Sequence, residues 1–196
     1  MAESSFFSML FRMKYIDRWA LMRSSRQENL TEHAQETAVL AHALATIGNL
    51  RCGKNYSADR AAVLGLFHDA HEILTGDMPT PVKYQNPEIE MAFKGVEEAA
   101  NRNLLSMLPP DMAAVYEDLI RSRDDNLKPL VKAADKLSAL IKCIEERKAG
   151  NAEFEKAERA IRGNIQELEL EEAVIFMEEF LPPFERTLDE MRAQNR

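Results

Sequence analysis

Glycine and proline are scarce in this chain of 196 residues, at 7 and 8. Valine- or isoleucine-rich alternating runs are missing, and so is a regular pattern of turn signals, so a sheet is not expected. Only two cysteines occur, Cys52 and Cys143, and they form no C-x-x-C. They read as ordinary reduced thiols of a cytoplasmic protein. The first residues include an acid and lack a basic n-region with an apolar stretch, and no later segment approaches ~18 uncharged apolar residues, so no membrane span is predicted. Positive charge is also short: 25 Lys and Arg face 33 Asp and Glu, a formal net charge of −8. This argues against a general nucleic-acid binder, which needs a basic face. An anionic small molecule is still allowed, provided a metal and a few local cations receive it.

What is plentiful is Ala, Leu, Glu, Met, Lys and Arg, the helix formers. The length fits one domain with a sizeable core. Phe6, Met9, Leu10 and Met13 fall at helical spacing, and a loop follows around 18–23. Asn29 to Glu32 leads into a long helix over 34–47, with stop signals at Gly48, Asn49 and Gly53. Ser57 opens a helix predicted to run from 58 to about 74, where Gly76 ends it. The Pro- and Gly-dense stretch 76–83 reads as a stiff loop that disfavours helix. Further helices are predicted over 87–108, 111–121 and 127–148. A Glu-rich helical tail, 153–196, is expected to be interrupted at Gly163 and at Pro182 and Pro183. No repeat or low-complexity linker divides the chain, so the expectation is one all-α domain.

The most informative feature is His68-Asp69, in the run Phe67-His68-Asp69-Ala70-His71-Glu72. With His33 upstream and Asp135 downstream it reads as His…His-Asp…Asp, a donor set for one divalent metal. Adjacent helical residues fan by about 100°, so His68 and Asp69 both reach an ion lying between them. His33 and Asp135 must then come from two facing helices of a bundle. Such a donor set leaves room for water and does not choose among Mn, Co, Fe, Mg or Zn. Glu72, four residues after His68, is placed on the same helix face to position water or pass a proton. Asp77 is a second candidate for that relay or for a sugar hydroxyl. Each residue alone reads as structural: a solvated His-Asp pair, a satisfied core histidine, a surface Asp135 beside Lys132 and Lys136. Jointly they favour a metal, because Asp135 lies in a mostly apolar-to-small run where a buried charge needs a partner. His42 falls on the opposite face from His33 and is given no role. His71 is read as an outer-shell or solvent residue.

These residues resemble the H…HD…D signature of the HD-domain superfamily of metal-dependent phosphohydrolases. With Arg18-Trp19, Thr31-Glu32-His33, Glu72 and the run Leu74-Thr75-Gly76-Asp77-Met78-Pro79-Thr80-Pro81-Val82-Lys83-Tyr84, the chain is similar to the bacterial 5′-deoxynucleotidases of the YfbR type over nearly its whole length. The resemblance implies a single HD-domain helical bundle over 1–196, with a core of about 28–145 on which the N-terminal helix and the C-terminal helices pack. It implies hydrolysis of deoxyribonucleoside 5′-monophosphates to deoxynucleoside and phosphate in the cytoplasm, by a homodimer. One divalent cation (Co, Mn, Zn, Fe, Cu or Mg) would be held by His33, His68, Asp69 and Asp135. Glu72, Arg18 and Asp77 would be catalytic. Arg18, Trp19, Asp69, Asp77, Met78, Pro79, Thr80 and Asp135 would contact the nucleotide.

The chemistry of the side chains fits these roles. A guanidinium fork holds two phosphate oxygens at once, and an indole offers a flat surface to a sugar or base. Outside this pattern Arg18 would read as a solvated charge and Trp19 as a core aromatic. Lys83, Arg23 and Arg26 read first as solvated faces. A triphosphohydrolase or a phosphodiesterase on the same fold is the alternative enzyme. The first is expected to carry more cations, and the second more histidines than the four present here. A non-catalytic nucleotide-binding module is disfavoured by the intact ligand set and Glu72.

Overall fold

The computed structural model describes residues 3–121 and 124–194. What the sequence predicts for residues 1–2, 122–123 and 195–196 lies outside them. The described elements are helical, without a strand among them. The helices are α1 (Phe6–Leu10), α2 (Leu30–Arg51), α3 (Ala58–Phe67), α4 (Glu72–Thr75), α5 (Thr80–Lys83), α6 (Pro87–Ser106), α7 (Pro110–Ile120), α8 (Lys128–Lys148), α9 (Glu155–Gln166), α10 (Glu171–Glu179) and α11 (Leu188–Gln194). Short 3-10 turns follow α1 and precede α9 and α11.

Three helices frame the interior: α2 packs along α3 and α8. Leu40, Leu44, Leu64, Leu130, Leu137 and Leu140 are buried between them. Ile165, Ala173 and Phe176 of the tail join the same cluster. At the other end Phe6 is buried with Leu104, Leu108 and Ile120, and Met13 with Leu30, Ala34 and Ile73. The start of α2 is fixed by a capping box, in which Asn29 accepts from the Thr31 and Glu32 amides and Glu32 accepts from the Asn29 amide.

Two crossings aim the site. Gly65 of α3 lies against α2 so closely that a Cβ there would stand 2.8 Å from the Ala38 Cα. Only glycine permits that approach. The second is an antiparallel bridge between Asp17 and Asn29. With bonds from the Arg18 amide to the Glu28 carbonyl (2.9 Å) and from the Leu30 amide to the Ile16 carbonyl (2.9 Å), it clips the 17–29 loop to the start of α2.

Four boundaries differ from expectation. The helix predicted over 58–74 is broken: α3 ends at Phe67, residues 68–71 turn, and α4 begins at Glu72. The turn is held by tighter bonds, Ala70 amide to Phe67 carbonyl (3.1 Å) and Glu72 amide to Asp69 carbonyl (2.9 Å). Burial of Ala70 in the Phe6 cluster and of Ile73 in the Met13 cluster redirects the chain there. The stretch 76–83 is not all loop, because α5 forms with Pro81 in its first turn, where a missing amide proton costs nothing. Gly48 and Asn49 do not stop α2, which continues to Arg51. Gly163 lies inside α9, and the tail breaks later, at 167–170, where Glu169 has a φ of 52°.

Candidate metal centre

Four side chains from three segments converge. His33 comes from the first turn of α2, His68 and Asp69 from the turn after α3, and Asp135 from α8. One ligand-type atom from each of the four lies within 4.8 Å of all the others. His33 Nε2 is 3.2 Å from Asp135 Oδ1 and 3.5 Å from Asp69 Oδ2, and His68 Nε2 is 2.9 Å from Asp69 Oδ2. Each ring is held from behind. His68 Nδ1 stands 2.8 Å from the Gly65 carbonyl, which can only accept, so Nδ1 carries the proton. His33 Nδ1 is 3.0 Å from Ser138 Oγ. Both Nε2 atoms are buried and make no hydrogen bond. A divalent cation satisfies that need: two imidazole nitrogens and two carboxylates facing one point are a borderline donor set of the right size and charge.

The charges agree. Burial and Arg18 both lower the His33 pKa, but Asp135 and Asp69 outweigh them and raise it to about 9. Despite desolvation, Asp69 stays well below the usual carboxylate range through His68 and His33, and Asp135 is lowered mainly through His33. Without a metal the site therefore recruits a proton as its cation. Asp135 is not one half of a surface pair with Lys132 or Lys136. It faces His33.

Arg18 and Trp19 stand beside this cluster. Arg18 Nη1 is 3.7 Å from Asp69 Oδ2, and its Nε is 3.2 Å from Glu28 Oε1. The reading of it as a solvated charge does not survive, since its side chain is 11 % exposed. Trp19 takes a left-handed backbone, φ 61°, uncommon for a bulky residue and a sign of imposed geometry. Its amide donates to Asp77 Oδ2 (3.2 Å), its indole Nε1 to Glu28 Oε2 (2.8 Å), and its ring leans on Phe154 at 5.2 Å. Asp77 thus meets the Arg18-Trp19 loop, with Gly76 at φ 72° turning the chain before it. Met78 and Pro79 are half-buried next to Asp77, and Thr80 is exposed at the head of α5.

Glu72 is buried, and its Oε2 has no partner. Burial, then the negative charges of Asp69 and Asp77, raise its carboxyl to about 9, so at neutral pH it holds a proton. Of the two readings of His71, outer-shell or solvent-facing, the second fails: it is buried, and its Nε2 lies 3.5 Å from Glu97 Oε1. Lys83 pairs with the same carboxylate, so it is not a solvated face either. Atoms of Asp69, His71 and Glu72 also lie within 4.8 Å of one another, but this imidazole is turned to Glu97. His42 is exposed and 3.8 Å from Asp59, away from the centre.

Sequence reading missed Glu28, which orients both Arg18 and Trp19. It also missed the clamp beneath their loop. Glu146 accepts from the Ser25 amide (2.8 Å), the Arg26 amide (3.3 Å) and Lys142 Nζ (2.5 Å). A Lys and a Glu four apart on a helix carry no signal that they are buried.

The family model described as 5′-deoxynucleotidase YfbR-like matches residues 5–184. A 5′-deoxynucleotidase of Vibrio cholerae is 45% identical over 97% of this chain and 100% of its own length. 5′-Deoxynucleotidase YfbR of Escherichia coli O1:K1 / APEC is 44% identical over 97% of each. Among solved structures, an HD-domain phosphohydrolase of Listeria innocua superposes with a TM-score of 0.81 at 23% identity, covering 92% of this chain and 88% of that one. The cyanophage S-2L HD phosphohydrolase DatZ, solved bound to dA and one catalytic Zn2+ ion, superposes with a TM-score of 0.68 at 18% identity over 95% and 99%. These last two likenesses show the fold.

Proposed function

The chain belongs to the 5′-deoxynucleotidase YfbR-like family, and from that membership we propose that it is a metal-dependent 5′-deoxynucleotidase. It cleaves deoxyribonucleoside 5′-monophosphates to deoxynucleoside and phosphate. The observation that carries the reading is the convergence of His33, His68, Asp69 and Asp135 beside Arg18 and the buried Glu72. Those four residues would hold one divalent cation. When bound, such an ion polarises a phosphoryl oxygen and lowers the pKa of its water.

The rest is work for the chain's own side chains. The Arg18 guanidinium, paired with Glu28 and beside Asp69, would hold phosphate oxygens. Hydrolysis forms a bond from phosphorus to a water oxygen and breaks the bond to the sugar O5′, which must gain a proton. Glu72 carries that proton at neutral pH and regains one from the water consumed. Asp77 with Trp19, Met78, Pro79 and Thr80 would form the nucleoside wall, and the indole against the sugar would exclude water from it.

A panel of deoxy- and ribonucleoside 5′-monophosphates and deoxynucleoside triphosphates, assayed for phosphate with a divalent metal, tests the substrate. Inorganic phosphate is expected chiefly from the deoxy monophosphates. Pyrophosphate or triphosphate as the main product would overturn the assignment.

A further inference from the structure

A metal-ligating imidazole depends on what holds its other nitrogen. For His68 that is main chain, the Gly65 carbonyl. For His33 it is a relay of side chains. His33 Nδ1 is 3.0 Å from Ser138 Oγ, and Ser138 Oγ donates to Glu36 Oε2 at 2.9 Å. A hydroxyl has one proton to give. Since that proton goes to Glu36, Ser138 Oγ accepts from His33. Nδ1 therefore carries a hydrogen, and Nε2, which faces Asp69 and Asp135, is the nitrogen left to bind a cation.

The spacing matches on both helices. Glu36 lies three residues after His33 on α2, and Ser138 three residues after Asp135 on α8, so each helix supplies a ligand and, one turn on, one member of the relay behind His33. His33 and Ser138 are fully buried, which keeps solvent from competing for the ring. Glu36 is half-buried and closes the relay toward the outside. Glu28 Oε1 also stands 3.5 Å from His33 Nδ1, beyond a good hydrogen bond, and is engaged by Arg18 at 3.2 Å.

We propose that Ser138 and Glu36 are positioning residues of the metal centre: they fix the His33 tautomer, and Glu36 acts on the ring only through the Ser138 hydroxyl. The pair therefore sets how tightly the cation is held. The inference rests on the reading of the cluster as a divalent-cation site, but not on any substrate.

The test is the Mn2+ affinity of the metal-stripped full chain, measured by competition with a chromophoric chelator in the absence of nucleotide. Ser138→Ala is expected to weaken binding roughly 10- to 100-fold, the usual range for losing such a support. Glu36→Gln keeps an acceptor for the hydroxyl and loses less. Glu36→Ala loses more than Glu36→Gln, and sits at a half-buried position that tolerates truncation if Ser138→Ala fails to fold. In the Ser138→Ala background the Glu36→Gln effect disappears, as two links of one relay require. Glu36→Ala binding within about twofold of the parent overturns the proposal, and so does a Glu36→Gln loss of equal size in both backgrounds. A parent chain that binds no Mn2+ overturns the metal reading itself, and is distinguished because it shows without any variant.

Discussion

The groups that define the centre do not behave as isolated side chains. Glu72 is the clearest case: its proton is retained because burial and two neighbouring carboxylates oppose ionisation. Glu72→Ala is therefore expected to keep Mn2+ and nucleotide binding while lowering turnover by roughly 10²- to 10⁴-fold, read from single-turnover rates beside equilibrium binding. Normal turnover in that variant would remove Glu72 from the chemistry. His33 adds a pH dependence. Its folded pKa, about 9, exceeds the ordinary 6.5, so the stability it contributes is present below pH 6.5 and is lost as pH rises through 9. Glu72 is raised from 4.5 to about 9 and acts in the same direction over that wider window. Thermal melts in chelator should fall between pH 6.5 and 9, and added Mn2+ should reverse the fall, because metal binding displaces the His33 proton and strengthens as pH rises. A melt in chelator that rises over the same window would contradict the assignment. At this scale much was legible. A His-Asp dipeptide, and an aspartate inside an apolar run, are conspicuous in sequence. Glu28 and Glu36 were not, since a glutamate in a polar stretch looks the same whether it faces water or a buried ring.

Among the elements, the turn 68–71 matters most. A continuous helix would carry Glu72 on the face of His68. The break instead starts a new helix at Glu72, and the carboxyl is buried with its Oε2 unpartnered. Sequence periodicity reads through such a break because Ala70 and Ile73 still look like helix residues, and only the clusters into which they bury redirect the chain. The same limit hid α5, since prolines mark a loop and a helix start alike. The closeness of α2 and α3 was also invisible until Gly65 was seen against Ala38. Gly65→Ala should force the two helices apart and cost roughly 1–3 kcal/mol by overpacking. It should also weaken Mn2+ binding, because the Gly65 carbonyl supports His68. The checks are a denaturant melt and a chelator competition. A variant with parental stability and parental affinity would show that the crossing is looser than described.

As a whole, the molecule builds its site from residues far apart in sequence: a loop at 17–29 with the helix 30–51 that follows it, a turn at 68–71, and a helix at 128–148. Helical class, long central helices and the four side chains that converge were readable from composition and pattern. The loop clamp on Glu146 required three dimensions. No described helix is long and apolar enough to cross a membrane. We further propose a homodimer, which the family resemblance supports, and a light-scattering mass of one chain would remove it. The most direct test of the central claim is phosphate release from dAMP by chelator-stripped protein, before and after stoichiometric Mn2+ or Co2+. The account predicts negligible release from the stripped chain and recovery on adding metal, with a weaker response to AMP. Full activity in the stripped protein, or none with any divalent metal, would contradict it.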